Sequence, residues 1–486
     1  TNNIKDYTTK LPQSLNIILK KINRNLKGLI FVIDEKNKLL GSISDGDIRR
    51  GLIKKNISQI VTINSKFVNT KPFSLNYKTN IKTILYHLQN KKNRNKFKCI
   101  PLVDDKKIIK DISTIENLRK YPIANLNLGD EEFSKAFDAI KSGWISSKGS
   151  YVDQFEKAFS KYLGGGYSVT TTSGTTALEL ALKTFGVGKG DEVILPNFSF
   201  AASINSIISV GATPVVVDIE EDTWTIDVKK IKKKISKKTK AIMPVHIYGQ
   251  PCRLDEIIQI AKLKKIYVIE DAAEALGGTY KGKKIGLGGD CACFSFYANK
   301  IITSGEGGMI CTNNKTYKNR IQLYKNLGFT SPRFKHFING YNFRMTAIQA
   351  ALGNSQLSNI EKIIKIKIKI AKNYIKNLKN ILELEMPKCE DYERNVYWQF
   401  GLLIKDNSKI KKNKIINHLK KNKIDTRSFF FSIRNQPSLK KVIPRNIPDT
   451  PISNKLWKQG LYLPSSHDIK NSDINFVCDK IKELFK

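Results

Sequence analysis

Residues 266–269, Ile-Tyr-Val-Ile, form a short continuous apolar run that ends in two carboxylates, Glu270-Asp271. An apolar run of that length, with no polar alternation, is what a strand buried on both faces requires, and such strands sit in parallel sheets covered by helices. A second run, Cys291 to Tyr297, is followed a few residues later by Lys300. Open α/β sheets bind ligands beyond the carboxyl ends of their strands. The pattern therefore predicts an acid and a lysine brought to one crevice by two strand ends.

Chemistry that needs a buried carboxylate and a lysine together is that of pyridoxal 5'-phosphate (PLP). The lysine carries the cofactor's aldehyde carbon, while the acid keeps the pyridine nitrogen protonated. A lysine near an acid is by itself most often a surface ion pair, and this chain has 71 lysines against 13 arginines. Their ordered occurrence after two buried runs is what favours the catalytic reading. The stretch Gly277 to Lys283 also approaches a phosphate-binding loop, but Lys284 stands where a hydroxyl should hold magnesium, so it reads as a turn.

Three segments carry a resemblance: Glu-Asp-Ala-Ala-Glu-Ala-Leu-Gly at 270–277, Phe-Ser-Phe-Tyr-Ala-Asn-Lys at 294–300 and Gly-Glu-Gly-Gly-Met at 305–309. They resemble the nucleotide-sugar aminotransferases of the DegT/DnrJ/EryC1/StrS family, and within it the GDP-perosamine synthases. The resemblance covers the chain from Tyr121 onward, with Trp144 to Gly149 as its entry motif. It implies a fold-type I PLP-dependent aminotransferase, an α/β protein with a large domain built on a mixed, mainly parallel sheet and a small C-terminal α+β domain. The expected boundaries are 121–370 and 371–486.

Site residues follow from the same match. Thr172 to Thr176 precedes an amphipathic helix, Ala177 to Lys183, whose free amides suit a phosphate, although a plain Ser/Thr cap has the same signature. The resemblance assigns the phosphate to Gly174 and Thr175, with Ser295 beside them. Phe200, in the loop Pro196 to Ser203, is the ring expected against the pyridine face. Asp271 and Glu274 are three apart, so a helical turn would put both on one face, with Glu274 near the ring's hydroxyl. Lys300 and Asp271 are the expected catalytic pair, and His246 is read as structural. The loop Gly340 to Thr346 is expected to reach the partner subunit's site with Asn342 on the phosphate, which implies a homodimer with shared sites. In Asp425 to Pro437, Ser428 replaces the family's proline and Arg434 stands where a histidine is usual.

Leu357, Ile360, Ile364, Ile368, Ala371, Ile375, Leu378 and Leu382 recur at threes and fours, which predicts one long helix joining the two domains. Residues 1 to 120 read as a separate module. Gly28 to Asp47 is strand, turn, strand and helix start, and it resembles a CBS domain, with Gly41, Ser44 and Asp47 matching its nucleotide-ribose pattern. A weaker copy runs from Thr70 to Leu118, where Asp111 to Glu116 lacks the glycine and ends in Glu. The expectation is a CBS-pair regulatory module that binds a nucleotide at Ser44 and Asp47 or serves as structure alone.

A formal charge of +41 raises nucleic acid or anionic membrane as partners. The lysines are spread through every segment together with Ile and Asn, so no nucleic-acid partner is expected. Cys99, Cys252, Cys291, Cys293, Cys311, Cys389 and Cys478 have no zinc spacing, and an odd count in a long chain points to reduced thiols and a cytoplasmic protein with no metal. The uncharged stretch Val193 to Val217 is interrupted by Pro196, Asn205, Gly211 and Pro214, and reads as strand, buried helix and strand instead of a membrane span.

The function expected is transfer of an amino group from L-glutamate to C4 of a GDP-linked 4-keto-6-deoxyhexose, for a surface polysaccharide or glycan. UDP- and dTDP-linked sugars are the nearest alternatives. A PLP-dependent sugar dehydratase of the same fold would carry histidine in place of Lys300. A nucleotide sensor with an inactive aminotransferase body is the non-enzymatic alternative.

Overall fold

The computed structural model describes residues 4–53, 59–89, 98–114, 121–125, 128–329, 331–332, 334–439 and 450–485. The chain divides into two compact units, Thr1–Lys120 and Tyr121–Lys486.

The first unit contains two copies of one hairpin. Leu29–Ile33 pairs antiparallel with Leu39–Ser44, and Cys99–Val103 pairs antiparallel with Ile109–Thr114. Each turn is closed by an aspartate: Asp34 Oδ1 accepts from the amides of Lys36 and Lys38, and Asp104 Oδ1 accepts from those of Lys106 and Ile108. Asn37 and Lys107 take the same left-handed conformation, with φ of 61° and 62°. The Leu39 amide donates to Lys107 O and the Ile109 amide to Asn37 O, so the copies meet through equivalent turns. Phe31, Ile33, Leu39, Cys99, Val103, Ile109 and Ile112 share one apolar cluster across the two hairpins. Glu116, the acid expected in the second copy, lies outside the described residues.

The second unit is built on a seven-stranded sheet: β1 (Tyr167–Thr171), β2 (Glu192–Pro196), β3 (Thr213–Val217), β4 (Thr239–Ile242), β5 (Tyr267–Asp271), β6 (Cys291–Ser295) and β7 (Gly308–Thr312). The order is 3-2-4-5-6-7-1, and β7 alone runs against the rest. Alternate residues feed two apolar layers. Ile194, Ile242, Val268, Ala292, Phe294 and Met309 enter one cluster, while Leu195, Ala241, Ile269, Cys293 and Ile310 enter the other. With both faces covered there is no polar side to alternate with, which explains the continuous apolar runs. The stretch 193–217 is strand, helix and strand as expected, with α2 (Ala201–Ser209) between β2 and β3. Among the described residues no helix is long and apolar enough to cross a membrane.

A four-stranded antiparallel sheet, Leu384–Glu385, Phe400–Ile404, Gly460–Leu463 and Arg427–Ser428 in that spatial order, builds the C-terminal part of the same unit.

The single long helix expected over 357–382 is two helices, α3 (Ala347–Ser358) and α4 (Ile360–Leu378), and Leu382 lies beyond the second, largely exposed. The break is at Asn359, at φ −104° and ψ 6°, a residue type whose short amide competes with the helical ladder. The buried stripe of α4 also differs from expectation. It runs Ile360, Ile364, Lys367, Ile370, Ala371, Tyr374 and Leu378, with Lys367 in the apolar row and Ile368 only partly buried. The Lys367 Nζ donates to Ser465 O at 2.5 Å, and burial pushes its pKa down to about 7.

Candidate active site

β5 and β6 lie side by side and parallel, with Asp271 opposite Cys293, so their carboxyl ends open to the same side. Successive side chains of β5 point to opposite faces. Glu270 turns to one face, where Oε2 meets His246 Nε2 at 3.0 Å and Oε1 accepts from the Gly289 amide. His246 Nδ1 accepts from the Cys252 amide, so the ring is neutral, with Nε2–H donating to Glu270. This pair is fully buried and structural.

Asp271 turns to the other face, 6% exposed. Its Oδ2 accepts from the Ser203 hydroxyl at 2.7 Å and its Oδ1 from the Ala273 amide at 3.2 Å. Ser203 lies in the first turn of α2 and is bonded to Ser199 Oγ at 2.7 Å, so the loop leading from β2 fixes the carboxylate. Burial pushes the Asp271 pKa up, against the opposing pull of Ser203, the Ala273 amide and Lys300. A carboxylate held in two hydrogen bonds and still raised by desolvation is suited to a cationic partner brought by a ligand.

Asp271 and Glu274 do converge, although the link is a tight turn and not the helical turn expected: the Ala275 amide donates to Ala272 O. Glu274 is 5% exposed, and its Oε1 lies 3.5 Å from Lys300 Nζ. Its Oε2 accepts from the amide of Tyr248, a residue held at φ 52°, and the Tyr248 hydroxyl in turn accepts from the Phe430 amide. The Lys300 ammonium also lies over the Trp398 ring, 3.9 Å from its centre, and Trp398 Nε1 donates to Asn299 O. Ser203, Tyr248 and Trp398 are site residues that the sequence reading did not single out. Ser203 had a signal, its one-turn spacing from Ser199, and Trp398 had none.

Burial raises the Glu274 carboxyl from 4.5 to about 7, with Lys300 and the Tyr248 amide opposing. The unfolded chain releases this proton near pH 4.5, while the folded protein holds it to about 7. The folded state therefore binds more protons between those values, and its stability falls as the pH rises through them. In cofactor-free protein this group is expected to withdraw on the order of 3 kcal/mol of stability across that window. Glu274→Gln should flatten that part of a denaturation-against-pH curve, and an unchanged curve would contradict the assignment.

The helix α1 (Gly174–Thr184) begins beside the end of β6. Ser173 caps it by accepting from the Thr176 amide, as the plain reading expects. The cap leaves the Gly174 and Thr175 amides at the helix's open end. A Cβ on Gly174 would come within 2.8 Å of Ser295 Cβ, so glycine is required for the helix start to approach Ser295. Three donors, two amides and a hydroxyl, thus gather where the helix dipole favours an anion. Phe200 is the residue before α2, 60% exposed, with its ring 5.6 Å from that of Phe430.

The cluster of Asp271, Glu274 and Lys300 at the end of β5 and the Gly174–Ser295 cradle at the end of the neighbouring β6 fit PLP: an anion site, a buried acid for a ring cation and a lysine against that acid's neighbour. Asn342 is not in that cluster. It is exposed and pairs in a bridge with Asn326. Ser44 and Asp47 belong to the other unit, where they cap the helix Asp45–Ile53 reciprocally: Ser44 Oγ donates to Asp47 Oδ2 at 2.6 Å and the Asp47 amide donates to Ser44 Oγ at 3.1 Å.

Residues 127–482 match the DegT/DnrJ/EryC1/StrS aminotransferase family, and residues 6–54 match the CBS domain. The chain is 37% identical to GDP-perosamine synthase of Escherichia coli O157:H7 over 369 residues, 76% of this chain and 99% of that relative. It is 37% identical to dTDP-3-amino-3,6-dideoxy-alpha-D-galactopyranose transaminase of Aneurinibacillus thermoaerophilus over 278 residues, 57% of this chain and 76% of that relative. Among solved structures it is similar to a Streptococcus pneumoniae protein in its PLP form, with 26% identity, 75% of this chain and 98% of that chain covered, and a TM-score of 0.72.

Proposed function

The chain belongs to the DegT/DnrJ/EryC1/StrS aminotransferase family and is a PLP-dependent sugar aminotransferase; from that premise we propose that it transfers an amino group from L-glutamate to C4 of a GDP-linked 4-keto-6-deoxyhexose. The observation that carries the choice of sugar is the identity of 36–37% with three GDP-perosamine synthases, each aligned over nearly its full length. The dTDP-sugar transaminase aligns over a smaller share of both chains, which makes a dTDP- or UDP-linked sugar the second reading. Lys300 opposes a dehydratase, whose chemistry has histidine at that position, and the intact acid and lysine pair opposes an inactive body.

When bound, PLP supplies an electron sink for the carbon that loses its proton. The chain's own residues do the rest. In this proposal the Gly174 and Thr175 amides and the Ser295 hydroxyl bind the phosphate, and Phe200 covers one ring face. Asp271 holds the proton on the pyridine nitrogen. Lys300 anchors the aldehyde carbon and, once released, moves a proton to and from the substrate carbon, a task for which a positioned base typically gives about 10²–10⁴-fold. Glu274 and Trp398 hold the Lys300 ammonium between them, and Glu274 is assigned to the ring's hydroxyl.

The proposal extends to a homodimer in which Asn342 reaches the partner's phosphate. An exposed apolar stripe supports it: Phe133, Phe137 and Ile140 on the helix Asp130–Lys141, continued by Trp144, are each 55–63% exposed. The N-terminal module is proposed to tune the enzyme. A nucleotide at Ser44 and Asp47 would exchange the cap's hydrogen bonds for its own.

Mass spectrometry of products from GDP-, UDP- and dTDP-linked 4-keto sugars with glutamate tests the substrate, using the full chain and a chain beginning at Tyr121. An amino sugar is expected only, or at the highest kcat/KM, from the GDP-linked ketone with both chains. Preference for another nucleotide would overturn the substrate proposal, and an inactive shorter chain would refute the separable module.

A further inference from the structure

A second concave site lies in the C-terminal part of the catalytic unit and shares no residue with the Lys300 cluster. Its walls come from the end of the strand Phe400–Ile404, the start of the helix Lys412–Lys421 and the end of the helix Pro451–Gln459. Four lysines reach it: Lys405, Lys411, Lys412 and Lys458. Among the described residues none of the four pairs with a carboxylate within 4.0 Å. The acid in the cleft, Asp406, accepts instead from the side-chain amide of Gln459. In a chain this rich in lysine a cluster of four is unremarkable on a flat surface, but here one member is drawn inward. Lys412 is half-buried, its Nζ donates to Trp457 O at 2.7 Å, and burial lowers its pKa.

Two further atoms of the same wall call for a ligand. Trp457 Nε1 and Gln459 Oε1 are both shielded from solvent and have no hydrogen-bond partner. Folded proteins leave few such atoms unsatisfied. One is a donor and the other an acceptor, and their residues line the same cleft as the four lysines. A molecule that meets all three demands carries several anionic oxygens, to take the lysines and the indole N–H, and a hydroxyl or protonated oxygen to give to Gln459. Phosphate groups meet them, because they are multiply charged at neutral pH and keep an ionisable oxygen near it.

We propose that this cleft binds the phosphate group of a small phosphorylated molecule, held by Lys405, Lys411, Lys412 and Trp457 Nε1. The site is separate from the phosphate cradle at Gly174 and from the sugar substrate's reacting carbon at Lys300.

Calorimetry of the full-length, cofactor-loaded protein with inorganic phosphate, pyrophosphate and glucose 1-phosphate, at constant ionic strength set with sodium chloride, tests it. At least one of these probes is expected to show saturable binding that weakens about tenfold or more in Lys411→Met and in Lys412→Met. The same binding should be unchanged in Lys420→Met, which removes an exposed lysine from the same helix. Tighter binding of glucose 1-phosphate than of inorganic phosphate would identify a sugar phosphate as the source, and the reverse would identify the free anion. Lys411 is exposed, so its variant decides the matter if Lys412→Met fails to fold. Equal binding by all four proteins, or an equal loss in all three variants, would mean an adventitious ion only and would overturn the proposal.

Discussion

Lys300→Ala is expected to abolish measurable transamination while leaving the fold and the anion cradle intact. The side chain is 13% exposed, and its ammonium meets the Glu274 carboxylate and the Trp398 ring at the edge of the sheet's carboxyl ends, not within the sheet's apolar layers. In the proposed reading, what is lost is the anchor for the cofactor's aldehyde carbon and the base that moves the proton. A positioned base alone accounts for about 10²–10⁴-fold, so turnover should drop by at least that factor. Stopped-flow or endpoint assays of amino-sugar formation check it, alongside thermal unfolding of the cofactor-free variant. Retained turnover would remove Lys300 from catalysis, and a collapsed melting temperature would make the loss uninterpretable as chemistry.

Asp271→Asn should separate stability from turnover. Burial already raises the Asp271 carboxyl in the free protein, so the neutral amide costs little there: its oxygen can still accept from the Ala273 amide, while its NH2 takes the place of the other oxygen and donates to the Ser203 hydroxyl. With the cofactor bound, the lost charge is the one proposed to hold the ring nitrogen protonated. A hydrogen bond to a charged group is worth about 1.5–3 kcal/mol, which corresponds to roughly 10–150-fold in turnover. The expected pair of results is a melting temperature near that of the wild type and a fall in kcat of that order. Wild-type turnover would show that the carboxylate acting on the ring lies elsewhere.

Both residues were visible in the sequence because the sheet leaves a plain trace there. A strand covered on both faces has to be apolar throughout, so the first ionisable residues after 269 and after 297 mark the strand ends and hence the site. The C-terminal part's contribution left no such trace. Trp398 reaches Lys300, and the Phe430 amide reaches the Tyr248 hydroxyl, through contacts between residues roughly a hundred or more apart, which no local pattern encodes. The helix prediction over 357–382 failed for a different reason. The apolar period continues through Asn359, so periodicity alone joins what the backbone at φ −104° and ψ 6° separates. The same period placed Ile368 in the core, whereas Lys367 occupies that row because its long stem packs there and its Nζ finds Ser465 O. Ser44 and Asp47 show the limit of a matched motif, since their spacing is equally that of a reciprocal helix cap, which is how the two side chains are used.

Lys300 is the residue proposed to carry the cofactor. Sodium borohydride reduction of the purified, cofactor-loaded protein, followed by peptide mass mapping, measures it directly. The expected result is a single pyridoxyl-modified peptide spanning Lys300, with the other lysines unmodified; modification of a different lysine would contradict it.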